Sequence, residues 1–423
     1  MKKILLVTLL LVASFSLTAC GGNNDEVELN TVSMFGGTDP NATVYQELIT
    51  EFEEAQGVSI NDNSATSNEI WKTSVVSSFY SGTEPDVLFF FTGETAAPFV
   101  DNDYVVSIEE IRKEYPEYAS NVSESVMDPY AVPIKGFVEG VFVNTELFTG
   151  NLAPYLDKEV WSWEDYQDIA DLLIANGKTP FAFGAVDVPH YWIEHLILGF
   201  NGPDAFSNIP AATDFEAATL TGEASSWIKA LETIGTLADD GWFGPTNGNQ
   251  SNEVANQAFK DGNSAMILDG SWFAGGLEGT SVDPDKVIMM PFPAIPTSLG
   301  GQGEVYMQSG FTSGFYITRS AWEDEARREL AVEFITAMTS TDAIGKYASL
   351  GGIPADSTVD LGEQTGIQLS MNTMPARTEA ATLPLSDAAE AGSFAQLVSG
   401  ANYYITSNLE GIRQALIDFA ELQ

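Results

Sequence analysis

The sequence predicts an α/β fold divided between two domains, and three observations carry that prediction. Between Val27 and Phe91 the apolar pattern reads strand, helix, strand, helix, strand, the grammar of a parallel sheet covered by helices. About 400 residues remain once an N-terminal leader is set aside, more than one hydrophobic core usually serves. With 44% hydrophobic and 11% aromatic residues, the chain has ample material for packed cores and stands well away from disordered sequences.

The leader comes first. Lys2 and Lys3 precede an apolar run, Ile4 to Leu17, that ends at Leu17-Thr18-Ala19-Cys20 followed by Gly21 and Gly22. A positive start, a short apolar stretch and small residues at a cut site make residues 1–20 an export signal. The run is too short for a membrane span, which needs about 20 apolar residues. Cys20, the only cysteine, stands where the bacterial lipobox pattern places the residue that receives a lipid and becomes the first of the mature protein. The mature chain is therefore expected outside the cytoplasm, anchored to the cell membrane through that lipid only, with residues 21–28 as a flexible tether.

The elements follow in order. Val27 to Phe35 alternates as a strand and runs into Gly36-Gly37-Thr38-Asp39-Pro40, a loop whose glycines let backbone approach a ligand. Val44, Leu48, Phe52 and Ala55 recur at helical spacing until Gly57 stops the helix. A strand from Val58 to Asn61, a helix from about Asn68 to Tyr80 with its stop at Gly82, and the apolar run Val87 to Phe91 complete the unit. Ligands of such sheets sit beyond the carboxyl ends of the strands, here the Gly36–Asp39 loop and Thr92-Gly93-Glu94.

The same grammar returns further on. Val138 to Val143 is a strand, and Ser162 caps a helix opening Trp163-Glu164-Asp165 that closes near Asn176-Gly177. Phe181-Ala182-Phe183 reads as a buried strand, and Trp227 to Leu237 and Glu253 to Phe259 as amphipathic helices. Ser264 to Leu268 is a strand running into Asp269-Gly270-Ser271-Trp272. A last block holds a strand from Gly314 to Thr318, a long helix from Glu323 to Thr339, a Gly351-Gly352-Ile353-Pro354 turn, and helices near Phe394 and from Leu409 to Leu422.

Composition excludes whole classes of function. Sixty acids oppose seventeen bases, a surface that repels nucleic acid and anionic lipid headgroups and favours a neutral or cationic ligand. A single cysteine allows no disulfide within the chain, and His190 and His195, five apart with no thiol nearby, fit no zinc spacing. No metal and no cofactor are expected. The chain has no Gly-x-Ser-x-Gly elbow and no phosphate loop of the Gly-x-x-x-x-Gly-Lys type.

Six runs in order carry a resemblance. They are Phe79-Tyr80-Ser81-Gly82-Thr83-Glu84-Pro85-Asp86-Val87; Tyr130-Ala131-Val132-Pro133; Gly140-Val141-Phe142-Val143-Asn144 with Leu147-Phe148; Thr179-Pro180-Phe181-Ala182; Phe259-Lys260-Asp261-Gly262-Asn263-Ser264-Ala265-Met266; and Asp269-Gly270-Ser271-Trp272. With the lipobox before them, they resemble the extracellular solute-binding proteins of family 1, the sugar-binding lipoproteins of bacterial ATP-binding-cassette importers. The chain departs from the family at Val143, where a tyrosine is usual, and at Lys135.

The resemblance implies a two-lobed periplasmic-binding-protein-like fold of type II, each lobe a mainly parallel sheet flanked by helices, joined by hinge strands. On this layout lobe one takes residues 29–135 and 294–345 and lobe two residues 136–293 and 346–423. The chain would cross near Pro133–Phe137 and Met290–Ala294 and return near residue 350. The implied ligand is a neutral carbohydrate, the implied partners are the permease subunits of the importer, and the protein is expected to be a monomer without enzymatic activity.

A sugar offers apolar C–H faces and a rim of hydroxyls, so aromatic rings and Asp, Glu, Asn or Gln side chains are the groups to look for. Trp272 leads, because it follows a strand end and matches the family's stacking tryptophan; its competing role is core packing. Asp269 could accept hydroxyl hydrogen bonds or serve the turn. His190, Tyr191 and Trp192 follow another buried strand, and at least one should reach the cleft. From lobe one come Glu94, with a helix-start charge as its alternative, and more weakly Asp39. Trp242 could cover the cleft or join a satellite core, and Phe137, at the first crossing, could stack. Two other functions stay open: a surface-anchored glycoside hydrolase with paired carboxylates, and a receptor for a non-sugar solute such as a polyol.

Overall fold

A computed structural model describes residues 28–364, 366–390 and 392–423. The leader, Cys20 and the tether up to residue 27 lie outside the described residues. Two sheets organise the chain. In the first, β1 (Glu28–Val32) lies between and parallel to β2 (Ser59–Asp62) and β3 (Val87–Phe91). β9 (Ser313–Ile317) closes that sheet antiparallel to β3. In the second, the order is β11 (Ala380–Thr382), β8 (Tyr306–Gly310), β4 (Lys135–Asn144), β6 (Ser264–Gly270) and β5 (Thr179–Ala182). β7 (Val287–Met290) and β10 (Ile353–Pro354) also pair with β4.

The stops and caps read from the sequence are the ones the chain uses. Gly57 and Gly82 end their helices at φ of 70° and 68°, in the left-handed region that glycine enters without a Cβ clash. Asn68 accepts from the Trp71 amide, and Ser162 and Asp165 satisfy each other's backbone in a reciprocal box. β3 is apolar at every position because both faces are covered. Val87 and Phe89 enter one core with Phe52 and Phe334, whereas Leu88 and Phe90 enter another with Trp71 and Phe79.

Four differences from the sequence expectation have physical causes. The second sheet is mixed rather than mainly parallel, because β6, β7, β8 and β10 all run antiparallel to β4. The long helix begins at Glu325, since Asp324 leaves helical geometry to accept from the Ala326 and Arg327 amides. The Pro291-Phe292-Pro293 run is extended but crosses nothing: Phe292 and Ile295 are buried in the core of the second sheet, and β8 pairs with β4 and β11, so residues 294–310 pack in lobe two. That chain reaches lobe one between Gly310 and Ser313. Its return is also later than residue 345, since Ile344, Tyr347, Ala355 and Val359 pack on lobe one and Ile367 on lobe two.

At the waist the backbone is stacked on itself. A Cβ on Gly136 would come within 2.8 Å of the Gly310 carbonyl, and one on Gly352 within 2.6 Å of the Gly136 carbonyl. Beside them the buried Lys135 ammonium donates to Asn41 Oδ1, the Tyr347 carbonyl and the Gly351 carbonyl, at 2.7, 3.0 and 2.9 Å. Asn41 and Tyr347 belong to lobe one, so this lysine pegs the start of β4 to that lobe. Burial lowers its pKa to about 8, partly opposed by the charge of Asp39.

Candidate functional site

The candidate site is built mainly on lobe two, where β4, the end of β6 and the helix His190–Asn201 converge. Alternate residues of a strand share a face, so Phe137 and Glu139 point to the same side of β4 as Val141 and Val143, which pack in the core that this helix covers. Trp272 follows β6, and its six-membered ring folds over Gly270 into the space a Cβ would fill. The ring centroids of Trp272 and Phe137 are 5.4 Å apart and those of Trp272 and Tyr191 6.2 Å. His190 extends the group, 4.4 Å from Tyr191. All four rings are half-buried. Together they make an apolar wall with one side open.

Beside the rings lie four buried carboxylates. Glu139 is 3% exposed, Glu194 0%, Asp269 2% and Asp387 7%. Glu194 accepts from the Ser386 amide at 3.2 Å and Asp269 from the Gly270 amide at 2.7 Å. Burial raises Glu194 to about 8 and Asp269 and Asp387 each to about 7. Glu139 is held well above the usual carboxylate range, first by burial and then by the charges of Glu194, Asp269 and Asp387. Burial moves the histidines the other way, His190 to about 3 and His195 to about 4, so both are neutral.

Lobe one meets this floor with backbone and small groups. Thr95 Oγ1 donates to the Ser386 carbonyl at 3.2 Å, and a Cβ on Gly93 would come within 2.9 Å of the Asp387 carbonyl. Lys72, on the helix Glu69–Ser81, stands 4.3 Å over the Phe91 ring and pairs with Glu69 at 2.9 Å. Its charge reaches His190, Glu194 and Asp387.

The structure thus brings together Trp272, Tyr191, His190, Phe137 and Asp269. It separates the other four candidates. Trp192, 1% exposed, is enclosed by Phe181, Phe183, Phe243 and Phe292, and Trp242, 3% exposed, stacks on Phe181 and Trp163. Both indoles are core residues, which corrects their assignment to the cleft. Glu94 is exposed on the short turn Gly93–Ala96. Asp39 spends its carboxylate inside its own loop, accepting from the amide and side chain of Asn41, the residue that receives Lys135.

Glu139, Glu194, Asp387 and Lys72 escape a sequence reading. Sixty acids make any pairing meaningless, yet two of these carried a signal: Glu139 interrupts the apolar strand Val138 to Val143, and Glu194 stands inside Tyr191-Trp192-Ile193-Glu194-His195-Leu196-Ile197. A charge in an otherwise buried run is worth explaining. Among the described residues no three His, Cys, Asp or Glu side chains are grouped so as to hold a metal ion.

Comparison with known proteins agrees on one architecture. A chitin oligosaccharide binding protein superposes with a TM-score of 0.78 at 18% identity, covering 94% of this chain and 98% of its own. A maltose/maltodextrin-binding domain from Bdellovibrio bacteriovorus, bound to maltotriose, gives 0.70 at 16% identity, covering 94% and 98%. A maltotriose binding protein from Thermus thermophilus gives 0.69 at 17%, covering 93% and 99%. No curated protein sequence matches the chain. Among the described residues no helix is long and apolar enough to cross a membrane. Residues 37–344, about three quarters of the chain, match the model of one family, and on that match this protein belongs to the bacterial extracellular solute-binding proteins.

Proposed function

We propose that this protein is the substrate-binding component of an ATP-binding-cassette importer, taking a carbohydrate between its lobes and handing it on chemically unchanged. One observation carries the reading: the rings of Phe137, Tyr191 and Trp272 stand beside buried carboxylates, so apolar ring faces and hydroxyl acceptors lie next to each other. Structural relatives described as binding chitin oligosaccharide or maltotriose support the same class of ligand. Lobe two holds most of these groups, and lobe one closes over them at Gly93, Thr95 and Lys72. Hinged closure then works by differential affinity, because the ligand favours the closed form only by what it gains there.

The lipobox reading adds that Cys20 is lipidated and holds the protein, as a monomer, at the outer face of the membrane beside its permease. A thermal-shift screen of saccharides tests the ligand class, since a ligand at a hundred times its dissociation constant stabilises by about 2.7 kcal/mol. Saccharides that leave the melting point unmoved while a polyol raises it would turn the reading to a non-sugar solute. Hydrolysis of an oligosaccharide during the same incubation would replace transport with catalysis. Cys20→Ala is expected to release an otherwise normal protein from membranes, detected by fractionation.

A further inference from the structure

The acidic surface left a neutral or a cationic guest open, and the buried groups favour the second. We infer that the ligand is a saccharide carrying a free amino group, whose ammonium enters between Glu139, Glu194 and Asp387 while its ring faces Trp272. The inference rests on the carbohydrate reading above and narrows it to an amino sugar.

The unmet hydrogen bonds come first. Glu139 Oε2, Glu194 Oε2 and Asp387 Oδ1 are buried with no partner, on three different elements. Two neighbours share the condition: His195, whose Nδ1 is 3.8 Å from Glu139, has an unpartnered Nε2, and the wholly buried Gln308 has an unpartnered Oε1. Buried polar atoms in folded proteins are nearly always paired, so a set of orphans at one place is where a ligand would supply the missing groups. An ammonium has three donors and no acceptor, so it supplies what open carboxylate oxygens lack.

Charge comes second. A neutral sugar could donate hydroxyls to these oxygens, but it would leave four buried carboxylates with little positive charge to face. Of the neighbouring cations, Lys72, itself paired with Glu69, reaches Glu194 and Asp387, and Lys260 reaches Asp269, which leaves two lysines for four buried acids and none acting on Glu139. Carboxylates kept this close and this dry either take up protons or receive a cation. The ring wall suits the same guest, because aromatic faces attract an ammonium as well as the C–H face of a sugar.

Calorimetric titration of the whole mature protein at neutral pH tests this, with D-glucosamine and its short β-1,4-linked oligomers, their N-acetylated counterparts, and neutral glucose oligomers of the same linkage. The amine series is expected to bind at least tenfold tighter than the other two and to weaken as salt rises. Glu194→Gln, which keeps the shape but can no longer ionise opposite an ammonium, should erase most of that preference. Equal or tighter binding of the acetylated or neutral series overturns the inference and leaves the carbohydrate reading standing. Binding of none of the three series overturns the inference, and the wider saccharide screen then decides the broader reading. If Glu194→Gln does not fold, the wild-type ranking and its salt dependence decide alone.

Discussion

The two lobes contribute to the cleft in different currencies. Lobe two supplies the rings and the acids from several elements, with Glu139 on β4, Asp269 at the end of β6 and Trp272 just after it, Tyr191 and Glu194 on one helix, and Asp387 on the short helix Leu385–Ala388. Lobe one supplies a glycine, a threonine hydroxyl and a lysine that is already paired. On the proposed function the contrast implies an order of events: a ligand would make most of its contacts on lobe two, and lobe one would then add closure. Experiments that separate holding from closing test that division.

Core and cleft indoles should separate most sharply. Trp242→Ala opens a cavity between Phe181 and Trp163 and is expected to cost roughly 3–5 kcal/mol of folding stability, read by denaturant unfolding. Trp272→Ala should instead remove about 2–4 kcal/mol of ligand binding by calorimetry while the unliganded melting point stays within a few degrees. A collapsed Trp272→Ala fold would move that ring from the holding surface to the core. Gly93→Ala probes closing: its φ of 64° and the nearby Asp387 carbonyl leave no room for a methyl, so affinity should fall about tenfold with the rings untouched. Unchanged affinity there would make lobe-one contact at Gly93 irrelevant.

The smallest effect is on pH. Glu194, Asp269 and Asp387 bind protons more tightly folded than unfolded, so the stability they lend is complete below about pH 4 and is lost as pH rises through 7 and 8. His190 and His195 act oppositely, lending stability above about pH 6.5 that is lost as pH falls through 4 and 3. Lys135 stays charged below about pH 8. Between pH 6.5 and 7.5 the carboxylates dominate, and the melting point of the ligand-free protein should fall by a few degrees, at about 2–4 °C per kcal/mol. Glu194→Gln should flatten that slope, and a slope unchanged by it would place the titration elsewhere.

Much of the frame was legible in the sequence because it is local. Gly57, Gly82, Asn68 and the Ser162–Asp165 box announce helix ends within a few residues of themselves, and the apolar run Val87–Phe91 announces a strand covered on both faces. What was not legible depends on rotation and on distant partners. Tyr191 and Trp192 are neighbours, but about 100° of helical turn sends one to the ring wall and the other into the core. Residues 291–293 look like a crossing until Phe292 is seen against Trp192, 100 positions earlier in the chain. Glu139, Glu194 and Asp387 come from sites up to 248 residues apart, so no spacing rule could have joined them.

Gly136 lies against the Gly310 carbonyl and Gly352 against the Gly136 carbonyl, so three stretches of main chain touch directly and the strap they make is thin. A thin leaf flexes easily across its face and poorly along its plane. The lobes should therefore swing about one direction, like a door on a leather strip, and a single methyl wedged at residue 136 would leave that door ajar.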